Sequence, residues 1–324
     1  MPESSESFER ALHSAILAFV TGDALGVPVE FKSRTTLNAD PVTDMREYGT
    51  YNQKKGTWSD DTSMTLCTIE SLTNGLNYDD MMRRFLRWLE DGYLTARGDT
   101  FDIGVSTRAA LIRYDRKTPA LQSGGAEFEE NGNGSLMRIL PAVFYLRARY
   151  GEKFSEEPAA YAVIHDLSKL THAHPISQIA CGIYCAVANE LINGAAIPDA
   201  VKNGIETAKK FYRSKIEFSP HLKHFVRVSA PKLLSLDRDT IRSTGYVLHT
   251  LEAALWCLLH TDNLKDCLLT AVNLGDDTDT VAAVTGGLAG IAYGKEQLPA
   301  EWLAVIPRLD DIEALCDAFA HSLR

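Results

Sequence analysis

The chain has little concentrated positive charge. Formal net charge is −10, and the one noticeable basic group is Lys209-Lys210 with Arg213 and Lys215. Phosphate backbones need a dense Lys/Arg surface, so nucleic acid is set aside as main partner. No CxxC pair occurs among the six cysteines (Cys67, Cys181, Cys185, Cys257, Cys267 and Cys316), and each sits in an apolar helical pattern. That disfavours a zinc or dithiol centre and suits small buried hydrophobes. The N-terminal MPESSESFER has no apolar signal core. No apolar run reaches the ~18 residues expected of a membrane helix, so no membrane partner is expected and a reduced cytoplasm is the expected compartment. A linker, a repeat and a low-complexity tract are all missing, so residues 1–324 read as a single domain. With 45% hydrophobic residues spread evenly, that domain can bury a sizeable core.

Strand-like alternation is scarce too, whereas helical periodicity recurs throughout. Phe8, Leu12, Ala15, Ile16 and Phe19 share one face, as do Met81, Met82, Phe85, Leu86 and Leu89. Ile176, Ile179, Ala180, Ile183 and Val187 repeat the pattern, followed by Val247, Leu251, Ala254, Leu255 and Leu258. Gly56, Gly98, Gly124-Gly125, Pro175, Pro198, Pro220 and Pro231 punctuate these segments. The stretch 281–293 (VAAVTGGLAGIAY) is small and apolar on every side, which suits the middle of a bundle. The expected architecture is therefore all-α: a compact multi-helix domain with this helix buried at its centre. Its loosest stretch, 118–133 (TPALQSGGAEFEENGN), reads as a functional loop.

Two acidic segments stand out, Ser59-Asp60-Asp61-Thr62 and Asp276-Asp277-Thr278-Asp279-Thr280. Each opens an apolar, helix-like stretch, and either alone reads as a helix cap. Together they hold more carboxylates than caps can use. Asp277 and Asp279 on a helix would lie about 200° apart, so Asp277 is expected in the loop, with the helix starting near Asp279 or Thr280. Ser59 and Asp60 are likewise expected to precede their helix. Asp60, Asp61, Asp277 and Asp279 turned inward would repel one another unless protonated or balanced by cations. Two divalent ions ~3.5–4 Å apart would neutralise them, with the Ser59 and Thr280 hydroxyls completing the oxygen shell. Asp276 has no assigned place there.

These residues resemble the ADP-ribosylglycohydrolase family over nearly the whole chain. The resemblance rests on Gly22-Asp23-Ala24-Leu25-Gly26 with Glu30; Trp58 to Met64 (WSDDTSM); Phe101-Asp102-Ile103-Gly104; Asn131 to Pro141 (NGNGSLMRILP); Leu170-Thr171-His172; and Gly275 to Thr280. It implies an all-α fold with a two-ion site of Mg²⁺ or Mn²⁺ type, the ligands mapping onto Ser59, Asp60, Asp61, Asp277, Asp279 and Thr280. Many relatives carry Thr at the Ser59 position and Gly at the Asp276 position. The FDIG segment and Ser243-Thr244-Gly245-Tyr246-Val247 look like the nitrogenase-type branch, which acts on ADP-ribose attached to arginine.

By the same resemblance, Asp102 is the first candidate for proton transfer and Glu30 the second, with the metal-segment Asp60 also catalytic. The alternative for Asp102 is a cap for a helix over 104–114, and for Glu30 an exposed loop acid. Asn133, Gly134, Ser135 and Met137 map onto a diphosphate-binding loop ahead of an apolar helix at 136–145, where small residues and a helix start favour an anion. The plainer reading is a Gly-rich turn with Ser135 as cap. His172 resembles a histidine near the phosphates, and Tyr246 one that lines the adenosine side, or else a core aromatic in a helix. The implied partners are an ADP-ribosylated protein and the product ADP-ribose, handled by a monomer. Hydrolysis of serine-linked or O-acetyl-ADP-ribose is the alternative within enzymes; a non-catalytic ADP-ribose binder is the alternative outside them.

Overall fold

The structure is a computed structural model and describes residues 5–324. Among the described residues it has 15 α-helices joined by loops and short 3-10 turns, with three isolated bridges and no strand. The all-α expectation holds. One continuous core runs from Leu12 to Ala320, and each of its larger side chains contributes about 1.5–3 kcal/mol by leaving water.

At its centre the helix Thr278–Tyr293 is buried from Thr278 through Gly290 and packs antiparallel to the N-terminal helix Ser5–Gly26. Small residues make that approach possible. A Cβ on Gly22 would lie 2.3 Å from the Ala282 carbonyl oxygen, and one on Gly290 would lie 2.2 Å from that of Ser14. At the other end a Cβ on Gly26 would meet the Asp279 Cα at 2.3 Å. The C-terminus of one helix is thereby pressed against the acidic N-terminus of the other.

The prolines read as breaks act as starts. Pro175 begins the helix Pro175–Ile192, and Pro198 occupies the first turn of Ile197–Arg213, where a missing N–H costs nothing. Two expectations need correction. The segment after the glycine loop is not helical from 136: turns continue through Arg138, and the helix is Leu140–Tyr150, with Pro141 fixing its first turn. Secondly, two segments, 6–29 and 175–192, are long and apolar enough to cross a membrane. They lie inside the protein, 94% and 83% buried, so their apolar character is spent on the core.

Candidate active site

At the first acidic segment, the helix is Asp60–Thr73 and Ser59 is its extended N-cap, so only Ser59 precedes it. Ser59 Oγ accepts from the Asp61 N–H. Asp23, buried near the end of the N-terminal helix, accepts from Ser59 N–H at 2.9 Å, Thr62 N–H at 3.0 Å and the Thr62 hydroxyl at 2.6 Å. Ser59 and Asp23 thus take over the free donors of the helix start, which frees Asp60 and Asp61 from capping. Asp61 Oδ2 accepts from the Ser59 and Thr280 hydroxyls, both at 3.2 Å, linking the two segments directly.

The second segment turns sharply. Gly275 and Asp276 both have left-handed backbones (φ 83° and 60°), and the Asp276 side chain is exposed. Its backbone pairs with the 31–32 segment: Phe31 N–H donates to Asp276 O at 2.7 Å, and Asp276 N–H to Lys32 O at 2.9 Å. That pairing carries Glu30 toward the acidic segments. Asp277 stays outside the helix, which begins at Thr278, slightly earlier than expected. Its Oδ2 accepts from Asn133 Nδ2 at 2.8 Å. Asp279, in the first turn, accepts the Thr280 N–H through Oδ1.

Glu30 follows the 3-10 turn Val27–Val29 and is 4% exposed, so it is not an exposed loop acid. One oxygen each from Glu30, Asp102 and Asp279 lie within 4.8 Å of one another. Asp102 is not a cap, because Gly104 occupies that place for the helix Val105–Asp115. Its backbone is left-handed (φ 58°), a conformation that costs a non-glycine residue ~1 kcal/mol or more and concentrates at functional sites. The Tyr51 hydroxyl donates to its Oδ1.

Crowding these acids together shifts their protonation. Burial, then the charges of Asp102 and Asp277, push Glu30 up to about 10. Burial raises Asp23 to about 6 despite its hydrogen bonds. Asp60, Asp61 and Asp279 are held well above the carboxylate range by burial first and by neighbouring carboxylates second. Asp277 is also raised by burial, while Asn133 and Thr280 pull it back. Among the described residues, four buried carboxylate oxygens have no hydrogen-bond partner: Glu30 Oε2, Asp61 Oδ1, Asp277 Oδ1 and Asp279 Oδ2. Orphaned acceptors and mutually repelling acids in an all-oxygen set fit a hard divalent cation.

Above this cluster opens a cavity of about 310 Å³, lined by Glu30, Asp60, Asp102, Asn133, Gly134, Met137, His172, Asp277 and Thr280 among others. Ser59, Asp61 and Asp279 lie behind that wall. The loop 118–133 supplies Glu129, Gly132 and Asn133, and is pinned by Gly125 pairing with His172 and Gly132 with Tyr246. His172 is buried; burial and then the Arg138 charge lower it to about 3, so its ring is neutral. A larger cavity, about 510 Å³, lies at the opposite end of the central helix pair near Arg10, Ser14 and Tyr293, and has no carboxylate cluster.

Two expected ligand contacts are not formed by this cavity. Ser135 is neither a cap nor a lining residue: its hydroxyl is fully buried against Ser168 and Cys181. Tyr246 is half-buried at the N-cap of Val247–Leu259 and lines a neighbouring groove with His224, Arg227, Arg242 and His249. Helix-start logic failed for Ser135 because the helix begins five residues later. Conversely, the capping role of Asp23 and the Tyr51 contact were missed. Asp23 stands inside the Gly22–Gly26 motif, which was a usable signal; Tyr51 carries none.

An all-helical fold with a carboxylate-rich cleft between two helix starts presents an all-oxygen donor set that suits a divalent cation. The chain belongs to the ADP-ribosylglycohydrolase family, whose model matches residues 4–324. It is 35% identical to the ADP-ribosylarginine hydrolase Tri1 of Serratia proteamaculans, over 98% of this chain and 80% of that one. It is 30% identical to the ADP-ribosyl-(dinitrogen reductase) glycohydrolase of Rhodospirillum rubrum, over 91% of this chain and 90% of that one. The ADP-ribosylhydrolase ARH3 of Danio rerio is 25% identical, over 93% and 87%. A solved structure described as an ADP-ribosylglycohydrolase-related protein complex superposes with a TM-score of 0.78 at 29% identity, covering 98% of this chain and 100% of that one.

Proposed function

We propose that the chain hydrolyses the N-glycosidic bond between ADP-ribose and an arginine side chain of a modified protein. The cluster of orphaned carboxylate oxygens beneath a cleft that also holds Asp102 and Glu30 carries this reading. The ADP-ribosylarginine activity of the Serratia relative supports arginine as the attachment point, and the Rhodospirillum glycohydrolase supports a modified protein as substrate.

Asp60, Asp61, Asp277 and Asp279, with the Ser59 and Thr280 hydroxyls, would hold two divalent cations, Mg²⁺ or Mn²⁺. When bound, such ions offset the carboxylate charge, grip ribose hydroxyls and lower the pKa of a water. Asp102, steadied by Tyr51, moves the proton between water and the leaving guanidine nitrogen. Glu30 is the second acid, its oxygen within 4.8 Å of one from Asp102. Asn133, tied to Asp277, and Gly134 and Met137 receive the substrate. Tyr246, in the neighbouring groove, would take the adenosine end. Free, buried thiols suit a reduced cytoplasm, and a monomer suffices for the site.

The burial of Glu30 against Asp102 and Asp279 favours one second reading: cleavage of a serine-linked or O-acetyl-ADP-ribose bond with Glu30 as main acid/base. Release of ADP-ribose from arginine-modified and serine-modified protein, with and without chelator, separates the two. Chelator-sensitive release from arginine, abolished in Asp102→Ala, is expected. Turnover of serine-linked substrate alone, lost only in Glu30→Ala, selects the second reading. Tight ADP-ribose binding with no turnover of any linkage in excess Mg²⁺ and Mn²⁺ contradicts both.

A further inference from the structure

Arg138 is a buried charged group near the cleft to which the proposed chemistry gives no task. It is 1% exposed, and no carboxylate pairs with it among the described residues. One guanidinium nitrogen donates to the Leu167 carbonyl at 3.1 Å and to the Thr171 hydroxyl at 2.7 Å. The Phe85 ring lies 4.9 Å from its centre, and its Nε has no hydrogen-bond partner among the described residues. An unpaired buried cation is expensive and needs a reason.

The reason lies one bond further on. Thr171 Oγ1 is 2.9 Å from Nδ1 of His172. Arg138 can only donate, so Thr171 accepts from it and must send its own proton elsewhere. Thr171 is fully buried, and among the described residues its hydroxyl has no hydrogen-bond partner besides Arg138 and Nδ1. Were Nδ1 protonated, the Thr171 proton would have no acceptor. The Thr171 hydroxyl therefore donates to Nδ1, which must be bare, and the ring proton resides on Nε2.

That nitrogen faces the glycine loop. A Cβ on Gly132 would stand 3.3 Å from His172 Nε2, and one on Gly134 would stand 2.8 Å from Cε1. Gly132, Gly134 and His172 all line the cavity, and Nε2 bonds to no protein group among the described residues. We infer that Arg138 and Thr171 form a positioning relay that locks His172 as a neutral Nε2–H donor aimed into the glycine-lined wall of the cleft. The donor takes an oxygen acceptor of the ligand, under the proposed function a diphosphate oxygen. Only the identity of that acceptor rests on the ADP-ribose reading.

Long-range ¹H–¹⁵N NMR of the full-length protein labelled at histidine, without ligand, reads the tautomer directly. His172→Gln assigns the signal. The expected wild-type pattern is a bare Nδ1 and protonated Nε2 across pH 6–8. Thr171→Val should lose the single-tautomer pattern and Thr171→Ser should keep it. A protonated Nδ1 in the wild type, or a tautomer unchanged in a folded Thr171→Val, overturns the relay. Calorimetry with ADP-ribose in Mg²⁺ then tests the acceptor: Thr171→Val should weaken binding roughly tenfold, as for one lost hydrogen bond, with Thr171→Ser restoring it. Unchanged affinity in Thr171→Val overturns the donor role, while no binding by the wild type in that assay counts against the ADP-ribose reading and leaves the tautomer result standing. Should Thr171→Val fail to fold, Arg138→Lys, which keeps a donor, serves for the same measurements. Its bare-Nδ1 pattern is expected to persist, and a protonated Nδ1 there overturns the relay.

Discussion

The two acidic helix starts reach the same outcome by different means. At Asp60–Thr73 the capping work is done by Ser59 and by Asp23, which comes from a distant helix and collects three donors. At Thr278–Tyr293 the N-cap Asp277 makes no side-chain cap bond; its carboxylate is instead held by Asn133 from the glycine loop. Capping and ligation are therefore not rival explanations of an acidic helix start. A carboxylate becomes available to a ligand when another group has taken the helix donors, and the first start shows which group.

If both starts form one site, the largest effect should follow from neutralising either. Asp61→Asn and Asp279→Asn should each lower kcat/KM by about 100-fold or more, since metal-assisted charge stabilisation is worth several kcal/mol. A severe loss in one with near-normal rates in the other breaks the comparison. Next in size is Asp23→Ala, which strands Ser59 N–H, Thr62 N–H and the Thr62 hydroxyl; denaturant unfolding should show a loss of about 2–3 kcal/mol. Ser59→Ala should cost about 1 kcal/mol as a lost cap.

The metal-free protein should also respond to pH in the opposite sense from most acidic proteins. Asp23 and Glu30 have folded values raised to about 6 and about 10, so the folded state binds more protons than the unfolded chain. Their contribution is complete below pH ~4 and is lost as pH rises through those folded values. Melting of chelator-treated protein should fall in temperature from pH 5 to pH 8, and excess Mg²⁺ should reverse the trend. A metal-free melting temperature that rises over that interval contradicts the crowding of acids. Smallest of all, Asp276→Asn should change activity and stability within about 0.5 kcal/mol, because its side chain is exposed and does not line the cavity.

Much of this was legible in advance, and the failures have physical causes. Helical period marked the core faces, and the all-round apolar 281–293 stretch predicted its central place. The surplus of carboxylates at 59–61 and 276–280 pointed to one site, and the structure leaves the Asp276 side chain exposed. What escaped was long-range. Nothing local says that Asp23 caps a helix starting at residue 60, that Tyr51 donates to Asp102, or that Ser135 turns inward to Ser168. Pro141 sets the helix start at Leu140, five residues beyond Ser135. The membrane-length segments at 6–29 and 175–192 were misjudged by counting unbroken apolar runs; scattered polar residues such as Ser14, Thr21 and Asn189 are buried along with them.

We propose that the two starts together hold divalent cations. Titration calorimetry of chelator-treated protein with Mn²⁺, repeated on Asp61→Asn and Asp279→Asn, tests it most directly. The expected result is two equivalents bound by the wild type and weakened binding in both variants, each of which remains folded. Absence of Mn²⁺ and Mg²⁺ binding to the folded wild type, or wild-type binding by both variants, would contradict it.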